Sequence, residues 1–339
     1  MSTYAGIDLH SSNSYLVVID DEDKRLFEKR LSNEKENILA ALKPFKKNLK
    51  GVVVESTYNW YWLVDALQEN GYSVHLANPA AVSQYSGLKH VNDKYDSFWL
   101  AHLLRLNILP EGYIYPKELR QVRDLLRRRM LYVQQRTTQI LSLQSAFTRN
   151  TGKRMSVNAI KKLKAEDAET YFALPFQIFT ARKNIETILF LTKIIREIEK
   201  EVLSIAKLKK EFEMLQTIPG IGKILGLTIM LEVGDINRFP NVGNYASYCR
   251  CVSSERLSNG KKKGENNKKN GNKYLAWAYV EAANFATRYC PDARTFYQKK
   301  TAKRNKIVAI KALGNKLARA SYYIMRDQVA YDVDHLFRK

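Results

Sequence analysis

Two apolar runs that each end in a carboxylate constrain the fold of this chain more than any other feature. Asp8 ends the run Tyr4–Asp8, and Glu55 ends the run Gly51–Glu55. Short apolar runs of this kind are typical of buried central strands, where an unpaired carboxylate costs several kcal/mol. The cost is tolerated at the carboxyl end of a strand, because the side chain can meet a cation there. Both acids are therefore expected to have a cationic partner.

Two further acids, Asp93 and Asp96, stand three residues apart at the start of the segment NDKYDSFWLAHLLRL. Residues at this spacing share one helix face, so both carboxylates can point the same way. Together with Asp8 and Glu55 they offer oxygen ligands for two hard cations, Mg²⁺ first and Mn²⁺ second, which would clamp an in-line phosphoryl displacement. The more ordinary interpretation is that Asp93 helps to cap a helix beginning near Asn92 and that Asp96 lies on a solvated face. The residues alone leave both interpretations open.

Residues 1–115 alternate strand-like and helix-like patterns. The patterns predict strands at Tyr4–Asp8, Ser14–Ile19, Lys24–Arg30, Gly51–Glu55 and Tyr72–Leu76, and helices over 33–49, 58–70, 79–85 and 93–106. A three-stranded meander followed by alternating helices and strands predicts an α/β domain. This is also the element order of the RNase H and RuvC-like fold, whose carboxylates come from the first strand, a later strand and a following helix. The four acids fall in that order, which favours the metal site.

Residues 116–208 carry two long helical stripes. Apolar residues recur at helical spacing over Lys117–Thr148 and over Asn184–Leu208, and the basic triplet Arg127-Arg128-Arg129 interrupts the first stripe. Stripes of about thirty residues are longer than globular helices usually run. The pattern predicts an antiparallel hairpin or a coiled coil that joins protomers. An ordinary helical connector fits the periodicity equally well.

Residues 209–339 are predicted to be a mainly helical domain that begins with a helix-hairpin-helix. The turn Pro219-Gly220-Ile221-Gly222 separates two apolar helices, and Lys223 follows it. Glycines let a backbone approach a phosphate, and the exposed N–H groups at the next helix start can bind it. A tight turn whose glycines serve packing alone is the alternative. The basic character of the chain favours phosphate binding by Gly220, Gly222 and Lys223.

A loop rich in Ser, Gly, Asn and Lys follows within Asn241–Ala286. It contains Ser253, Ser254 and Ser258 and the lysines Lys261, Lys262, Lys263, Lys268, Lys269 and Lys273, and a helix is expected to resume at Tyr274. Lysine loops are commonly solvated surface loops. Between a phosphate-binding hairpin and an aromatic helix, however, the loop suits contact with a nucleic-acid backbone. A further basic amphipathic helix is predicted over Thr301–Asp327.

The charge of the chain indicates its class of partner. With 56 Lys and Arg against 34 acids, the net charge is +22. Such a surplus favours nucleic acid first and an anionic membrane surface second. No apolar stretch reaches transmembrane length and no signal sequence is recognisable, so we expect a soluble cytoplasmic protein. Cys249, Cys251 and Cys290 lack a second pair at zinc spacing and are interpreted as buried thiols.

In order and spacing, these motifs resemble the DEDD transposases of the insertion-sequence one-ten family, a group that includes the pilin-gene invertase. The resemblance covers nearly the whole chain, through GIDLH, VVVES, NDKYDSFWLAHLL, IPGIG, EVGDINRF and SNGKKKGENNKKNGNKYL. It implies a RuvC-like N-terminal domain, a coiled-coil middle and a C-terminal transposase domain with a serine nucleophile. It also implies a dimer or tetramer at the bacterial or archaeal nucleoid, with a structured guide RNA that pairs with donor and target double-stranded DNA.

The resemblance also assigns roles to residues of this chain. Asp8, Glu55, Asp93 and Asp96 would bind the metal ions, and Ser258 would be the nucleophile that forms a phosphoserine link to DNA. The family commonly has Ser-Gly at this place, whereas this chain has Ser258-Asn259-Gly260, so Ser254 is the second candidate. Two other functions compete with this one: a metal-dependent junction nuclease that uses no serine, and an architectural DNA-binding protein whose acids are only structural.

Overall fold

A computed structural model describes residues 1–82, 92–206, 210–265 and 270–337. The chain divides into two compact units, Met1–Lys117 and Glu118–Lys339. The first unit contains β1 (Thr3–Leu9), β2 (Asn13–Asp20), β3 (Arg25–Ser32), α1 (Lys35–Leu42), β4 (Leu49–Glu55), α2 (Tyr61–Glu69), β5 (Val74–Ala77), α3 (Pro79–Val82) and α4 (Asp93–Arg105). The last three residues of the helical turn expected over 79–85 lie outside the described residues.

The five strands of the first unit form one mixed sheet in the order β3-β2-β1-β4-β5. β1 pairs antiparallel with β2 and parallel with β4, and β4 pairs parallel with β5. One face is covered by α1 and α2, whose Ile38, Leu42, Leu63 and Leu67 join the strand residues in an apolar core. Helix α4 covers the other face through Ala101 and Leu100. The α/β expectation is confirmed at this level.

One helix of the first unit is shorter than the sequence pattern indicated. A helix was expected over 33–49, but α1 ends at Leu42 and a 3₁₀ turn follows at Lys43–Phe45. Pro44 has no amide hydrogen to donate and restricts the residue before it, so the α-helix stops there. Leu49 instead begins β4.

The second unit is mainly helical. Its elements are α5 (Lys117–Thr151, whose first residue closes the first unit), α6 (Val157–Ile160), α7 (Ala168–Tyr171), α8 (Pro175–Ala206), α9 (Lys210–Leu215), α10 (Lys223–Val233), α11 (Val242–Tyr248), β6 (Arg256–Ser258), β7 (Lys261–Gly264), α12 (Lys273–Tyr289), α13 (Pro291–Lys303), α14 (Lys306–Asp327) and α15 (Val333–Phe337). None of the helices in the described ranges has both the length and the apolar character needed to cross a bilayer.

The long helices α5 and α8 run antiparallel. Arg129 pairs with Glu199, Arg136 donates to Thr192, and Asn184 donates to Ser142, so positions later in α5 meet positions earlier in α8. The segment that links the two helices packs against Ile140 of α5 and Ile185 of α8, and together they form a small apolar cluster. The antiparallel hairpin is thus the arrangement of these two helices within one chain.

The C-terminal helices share one large core with the near ends of α5 and α8. Helices α12 and α14 cross closely at its centre, where the Cα of Gly314 lies over the backbone of Tyr279. Cys249 and Cys290 are buried and Cys251 is half-buried, all as free thiols. Burial raises the pKa of Cys251 to about 12. The expected burial is therefore found for Cys249 and Cys290 and only in part for Cys251.

Two sequence-based expectations for this unit are wrong. The basic helix predicted over Thr301–Asp327 is two helices, because the Asn305 side chain caps α14 by accepting from the Val308 amide at 2.9 Å. Thr301 therefore belongs to α13. The lysine-rich stretch after Ser254 is also not a plain loop, since part of it forms the β6–β7 hairpin.

Candidate metal centre and phosphate-binding surfaces

The sheet register places Asp8 and Glu55 at the same edge. β1 and β4 are parallel, with Ile7 opposite Val54, so the next residue of each strand is a carboxylate. The Asp8 side chain is 5% exposed, and the neighbouring strand residues are almost entirely apolar and buried. The two carboxylates thus lie side by side near the carboxyl ends of β1 and β4.

Helix α4 is brought onto this edge by a close backbone contact at Gly6. A Cβ at Gly6 would lie 2.0 Å from the Ser97 carbonyl oxygen and 2.8 Å from the Ala101 nitrogen. The fully buried Ser97 hydroxyl accepts a long 3.3 Å hydrogen bond from the Asp8 amide and donates to the Tyr15 carbonyl at 2.8 Å. Only glycine permits this approach, so Gly6 sets the height of α4 above Asp8.

The first turn of α4 carries the other two acids to the same place. Asn92 caps the helix by accepting from the Tyr95 amide at 3.0 Å, which leaves the Asp93 carboxylate available for other contacts. The side chain of Asp93 is 44% exposed, and Asp96 lies close enough to Asp8 and Asp93 for their charges to affect it. The structure thus brings the four predicted acids together.

Their electrostatics reflect this crowding. Burial, followed by the hydrogen bond and the negative charge of Asp8, raises the pKa of Glu55 to about 7. Burial also raises the pKa of Asp8. Burial followed by the charges of Asp8 and Asp93 raises the pKa of Asp96. A protonated Glu55 can therefore donate to Asp8, which is how crowded carboxylates reduce their repulsion when no cation is bound.

His10 is a member of the cluster that the sequence interpretation missed. Its Nε2 lies 3.2 Å from Asp8 Oδ2 and 3.3 Å from Asp93 Oδ2. The signal was available, because residues two apart along an extended chain point to the same side, and His10 is two residues after Asp8. A single histidine after a strand is common, however, so this spacing alone does not identify a ligand.

The donor set fits a divalent cation. Ligand atoms from Asp8, His10 and Asp93 lie within 4.8 Å of one another. Glu55 and Asp96 add two carboxylates, whose pKa values are raised by burial first and by the neighbouring Asp8 second. Carboxylate oxygens are the preferred protein ligands of Mg²⁺ and Mn²⁺. The side chains that would hold the ion are therefore Asp8, Glu55, Asp93 and Asp96, with His10 beside them.

The glycines of the predicted phosphate-binding turn have different environments. Gly220 has φ +90°, and a Cβ there would lie 2.2 Å from the Ala282 carbonyl oxygen of α12, so this glycine is needed for a close helix contact. Gly222 precedes α10 in extended conformation and faces open space. Lys223, the first residue of α10, is exposed. Gly222 and Lys223, rather than Gly220, present the accessible helix start.

Two aromatic side chains border the same turn and were not predicted as site residues. A cavity of about 570 Å³ is lined by the turn and by Phe285 and Tyr289 of α12. Their rings lie nearly parallel, with centroids 6.5 Å apart, and Tyr289 is 74% exposed. Exposed aromatic faces beside a basic helix start are typical of surfaces on which nucleobases stack. Phe285 and Tyr289 are four residues apart on one helix, so the sequence already indicates that they share a helix face.

Ser258 lies at the tip of a two-residue hairpin. It is the last residue of β6 and pairs with Lys261 of β7, and both turn residues, Asn259 and Gly260, have positive φ angles of 49° and 70°. Asn-Gly in a turn of this kind is the strongest local hairpin signal, and the sequence interpretation overlooked it. Ser258 is exposed, and Ser254 is half-buried before β6.

The predicted basic residues around the hairpin are mostly accessible. Lys261, Lys262 and Lys263 are exposed along β7, and Lys273 is exposed at the start of α12. Lys268 and Lys269 lie outside the described residues.

Two members of the arginine triplet in α5 form ion pairs with acids of neighbouring helices. Arg127 donates to the buried Glu232 at 2.7 Å, and Arg129 pairs with Glu199.

The comparisons with known proteins agree with these observations. Residues 5–150 match the DEDD family model of the IS110 type, described as Transposase. Residues 212–298 match the model described as Transposase IS116/IS110/IS902 family. The chain is also similar to the insertion element IS110 uncharacterized 43.6 kDa protein of Streptomyces coelicolor, at 23% identity over 138 residues, which are 40% of this chain.

The match spans 34% of that curated relative, so its similarity concerns about a third of the relative's length. The two family matches fall in different parts of this chain, one containing the carboxylate cluster and the other containing the glycine turn and the Ser258 hairpin. Between them they cover more than half of the sequence. On this evidence the chain belongs to the IS110 family of transposases.

Proposed function

We propose that this protein is a transposase that cuts and rejoins DNA with a serine nucleophile and a two-metal carboxylate site. The observation that carries the proposal is the convergence of Asp8, Glu55, Asp93 and Asp96 on one sheet edge, in a chain of net charge +22. An acidic cluster repels DNA unless cations neutralise it, so its presence in so basic a protein favours a metal-assisted reaction on a polyanion.

The chemistry assigned to Ser258 is a transesterification. Its Oγ attacks a DNA phosphorus and loses its proton, the phosphorus–oxygen bond to one sugar breaks, and that sugar oxygen leaves as a hydroxyl. The phosphodiester is thereby exchanged for a phosphoserine ester, which a second hydroxyl can reverse during rejoining. When bound, the cations supply charge neutralisation of the phosphoryl oxygens and lower the pKa of a bound hydroxyl.

The residues of the chain have separate parts in this proposal. The four acids hold the cations and keep their spacing constant, since β1, β4 and α4 are rigid elements. Ser258 projects from a short hairpin with Lys261 directly opposite it, so a phosphate near its hydroxyl is charge-compensated. Gly222, Lys223, Lys261, Lys262, Lys263 and Lys273, with Lys268 and Lys269, are proposed to contact the nucleic-acid backbone.

The proposed partners are donor and target DNA, a structured guide RNA and further copies of this chain. Association of protomers is supported by large apolar side chains that stand exposed along the long helices, among them Leu141, Phe176, Phe179 and Phe190. Exposed apolar groups on this scale mark interaction surfaces. Light scattering of the full-length protein with co-purified nucleic acid should show a dimer or tetramer, and a monomer at every concentration would contradict it.

The decisive experiment traps a covalent protein–DNA adduct on a labelled DNA substrate with Mg²⁺ or Mn²⁺. We expect an adduct with the wild-type protein, none with Ser258→Ala, and none with Glu55→Gln, while both variants still bind nucleic acid. Ser253→Ala and Glu36→Gln are the matched controls, because Ser253 is exposed in the same stretch and Glu36 is exposed on α1. An adduct that persists in Ser258→Ala would move the nucleophile, and Ser254→Ala should then be tested.

The junction nuclease stays the alternative function, because the carboxylate cluster is equally suited to activating water. Cleavage that needs Glu55 but is unaffected by Ser258→Ala and Ser254→Ala, with no adduct from any of the proteins, would establish it. Absence of any metal-dependent cleavage would favour an architectural role instead.

A further inference from the structure

His10 is a further ionisable side chain in the cluster formed by the four acids. Its ring nitrogen Nε2 is within 3.3 Å of one oxygen from Asp8 and one from Asp93. The two acids come from different elements, β1 and α4, so the imidazole joins the strand to the helix. A side chain in this position lies among the ligand atoms rather than behind them.

The separations are those of ligands that share one ion. Magnesium holds its octahedral ligands at about 2.0–2.1 Å, so two neighbouring ligand atoms at a right angle are about 3 Å apart. The Nε2 distances of 3.2 Å and 3.3 Å lie close to this value. Manganese binds at slightly longer distances than magnesium, which brings the expected separation nearer to those observed.

The backbone of His10 is fixed independently of its ring. Its carbonyl oxygen accepts from the side-chain amides of Asn33 at 2.9 Å and Asn59 at 3.0 Å, and its amide donates to the Asn13 carbonyl at 3.0 Å. The side chain itself is 41% exposed. Three hydrogen bonds to the main chain thus hold the residue at the cluster, although packing of the ring does not require it to be there.

We propose that His10 is a nitrogen ligand of the cation bound by Asp8 and Asp93, and that it makes this position prefer Mn²⁺ to Mg²⁺. The inference rests on the metal site of the proposed function and adds a ligand to it. Imidazole is a poor ligand for Mg²⁺ and a better one for the first-row transition metals, whereas carboxylates accept both. A site that includes His10 would therefore favour Mn²⁺ over Mg²⁺ more strongly than a site with carboxylate ligands alone.

The test measures metal coordination in the full-length protein without DNA. Pulsed electron paramagnetic resonance of bound Mn²⁺ detects a directly coordinated ¹⁴N nucleus, and titration gives the affinities for Mn²⁺ and Mg²⁺. The variants are His10→Ala, Asp8→Asn and, as the matched control, His75→Gln. His75 is also paired with an acid, Glu111 at 2.9 Å, but lies outside the cluster.

We expect a ¹⁴N signal in the wild-type protein and in His75→Gln, and none in His10→Ala. The Mn²⁺ affinity of His10→Ala should fall by about tenfold or more, while its Mg²⁺ affinity changes much less. The three backbone hydrogen bonds do not need the ring, so His10→Ala should keep the fold, which circular dichroism checks.

Two results would overturn the inference, and they are distinguishable. Tight Mn²⁺ binding that Asp8→Asn abolishes, without a ¹⁴N signal and unchanged in His10→Ala, would leave the carboxylate site intact and remove His10 from it. Histidine would then be a group that pairs with the acids only when the ion is absent. No binding of either metal by the wild-type protein would overturn the metal site itself and this inference with it.

Discussion

Asp8 lies on a strand with buried neighbours on both sides, whereas Ser258 lies at the exposed tip of a hairpin whose strands have three and four residues. Asp8 is held by the amide contact with Ser97 and by the approach of α4 over Gly6. Ser258 is held by one pairing partner, Lys261, and by the geometry of a two-residue turn. The two candidate catalytic groups are thus fixed by very different numbers of contacts.

The difference follows from what each group must do. Carboxylates that share cations have to keep their spacing against mutual repulsion, and only a densely packed scaffold resists that force. A nucleophile that becomes covalently joined to DNA has to reach a large partner, and an exposed hairpin can do so while the core behind it stays rigid. Substitutions in the two regions should therefore differ in the size and reach of their effects.

The largest effect is expected from Gly6→Ala. The added methyl group would lie 2.0 Å from the Ser97 carbonyl oxygen, so α4 must move, at a cost of about 3 kcal/mol in the free energy of unfolding. Because α4 carries Asp93 and Asp96, divalent-metal affinity should fall as well. Gly112→Ala is the control, since its nearest contact would be 3.4 Å. Chemical denaturation and metal titration measure both effects, and equal stability of the two variants would contradict the prediction.

The second-largest effect is a dependence of the free energy of unfolding on pH and on metal. We expect it from the acidic cluster and not from the hairpin. Burial and Asp8 raise the pKa of Glu55 from 4.5 to about 7. Its contribution to stability is therefore complete below about pH 4.5 and is lost as the pH rises through about 7. With EDTA present, we expect the midpoint of thermal unfolding to fall over this range, and the fall should be smaller in Glu55→Gln than in Glu36→Gln.

Metal should reverse this loss. Near pH 7.5, Mg²⁺ or Mn²⁺ binds only the folded cluster and should raise the unfolding midpoint of the wild-type protein. Glu55→Gln should gain less from the metal but be the more stable protein without it. If the metal-free wild type and Glu55→Gln unfold alike at every pH, the four acids do not repel one another as described.

A smaller effect is expected from Gly260→Ala in the hairpin. Open space surrounds Gly260, but its φ is +70°, and a non-glycine residue pays about 1 kcal/mol for such a conformation. The cost should appear as loss of hairpin order and of covalent adduct, with the unfolding midpoint of the whole protein nearly unchanged. A midpoint shift as large as that of Gly6→Ala would remove the contrast between the two regions.

The smallest effect should come from single lysines. Lys263→Gln removes one exposed charge of β7, which should weaken nucleic-acid binding about equally for all sequences and lower the slope of log affinity against log salt by about one. Lys47→Gln, an exposed change in the other unit, is the control. Nucleic-acid affinity measured at several salt concentrations tests this prediction. An unchanged slope of log affinity against log salt for Lys263→Gln would exclude a phosphate contact by this residue.

Local patterns in the sequence were sufficient to predict most strands and helices and the set of acids. Asp8 and Glu55 were recognised because a carboxylate at the end of an apolar strand is rare, and Asp93 and Asp96 because helix spacing relates them. The Ser258 hairpin was missed although Asn259-Gly260 signals it, since the surrounding lysines made the stretch resemble a loop. The break before α14 was missed because one capping asparagine is a weak signal within a long basic pattern.

Most elements, the charge and the kinds of side chain available for chemistry could be predicted from the sequence, because each depends on composition or on residues within one or two turns of one another. Packing of distant elements, by contrast, places His10 between Asp8 and Asp93, brings α4 against Gly6, and puts Gly220 in a helix contact while Gly222 faces solvent. These facts depend on atoms that lie more than sixty residues apart or on opposite elements. Their positions follow from packing and strand register, which no local pattern records.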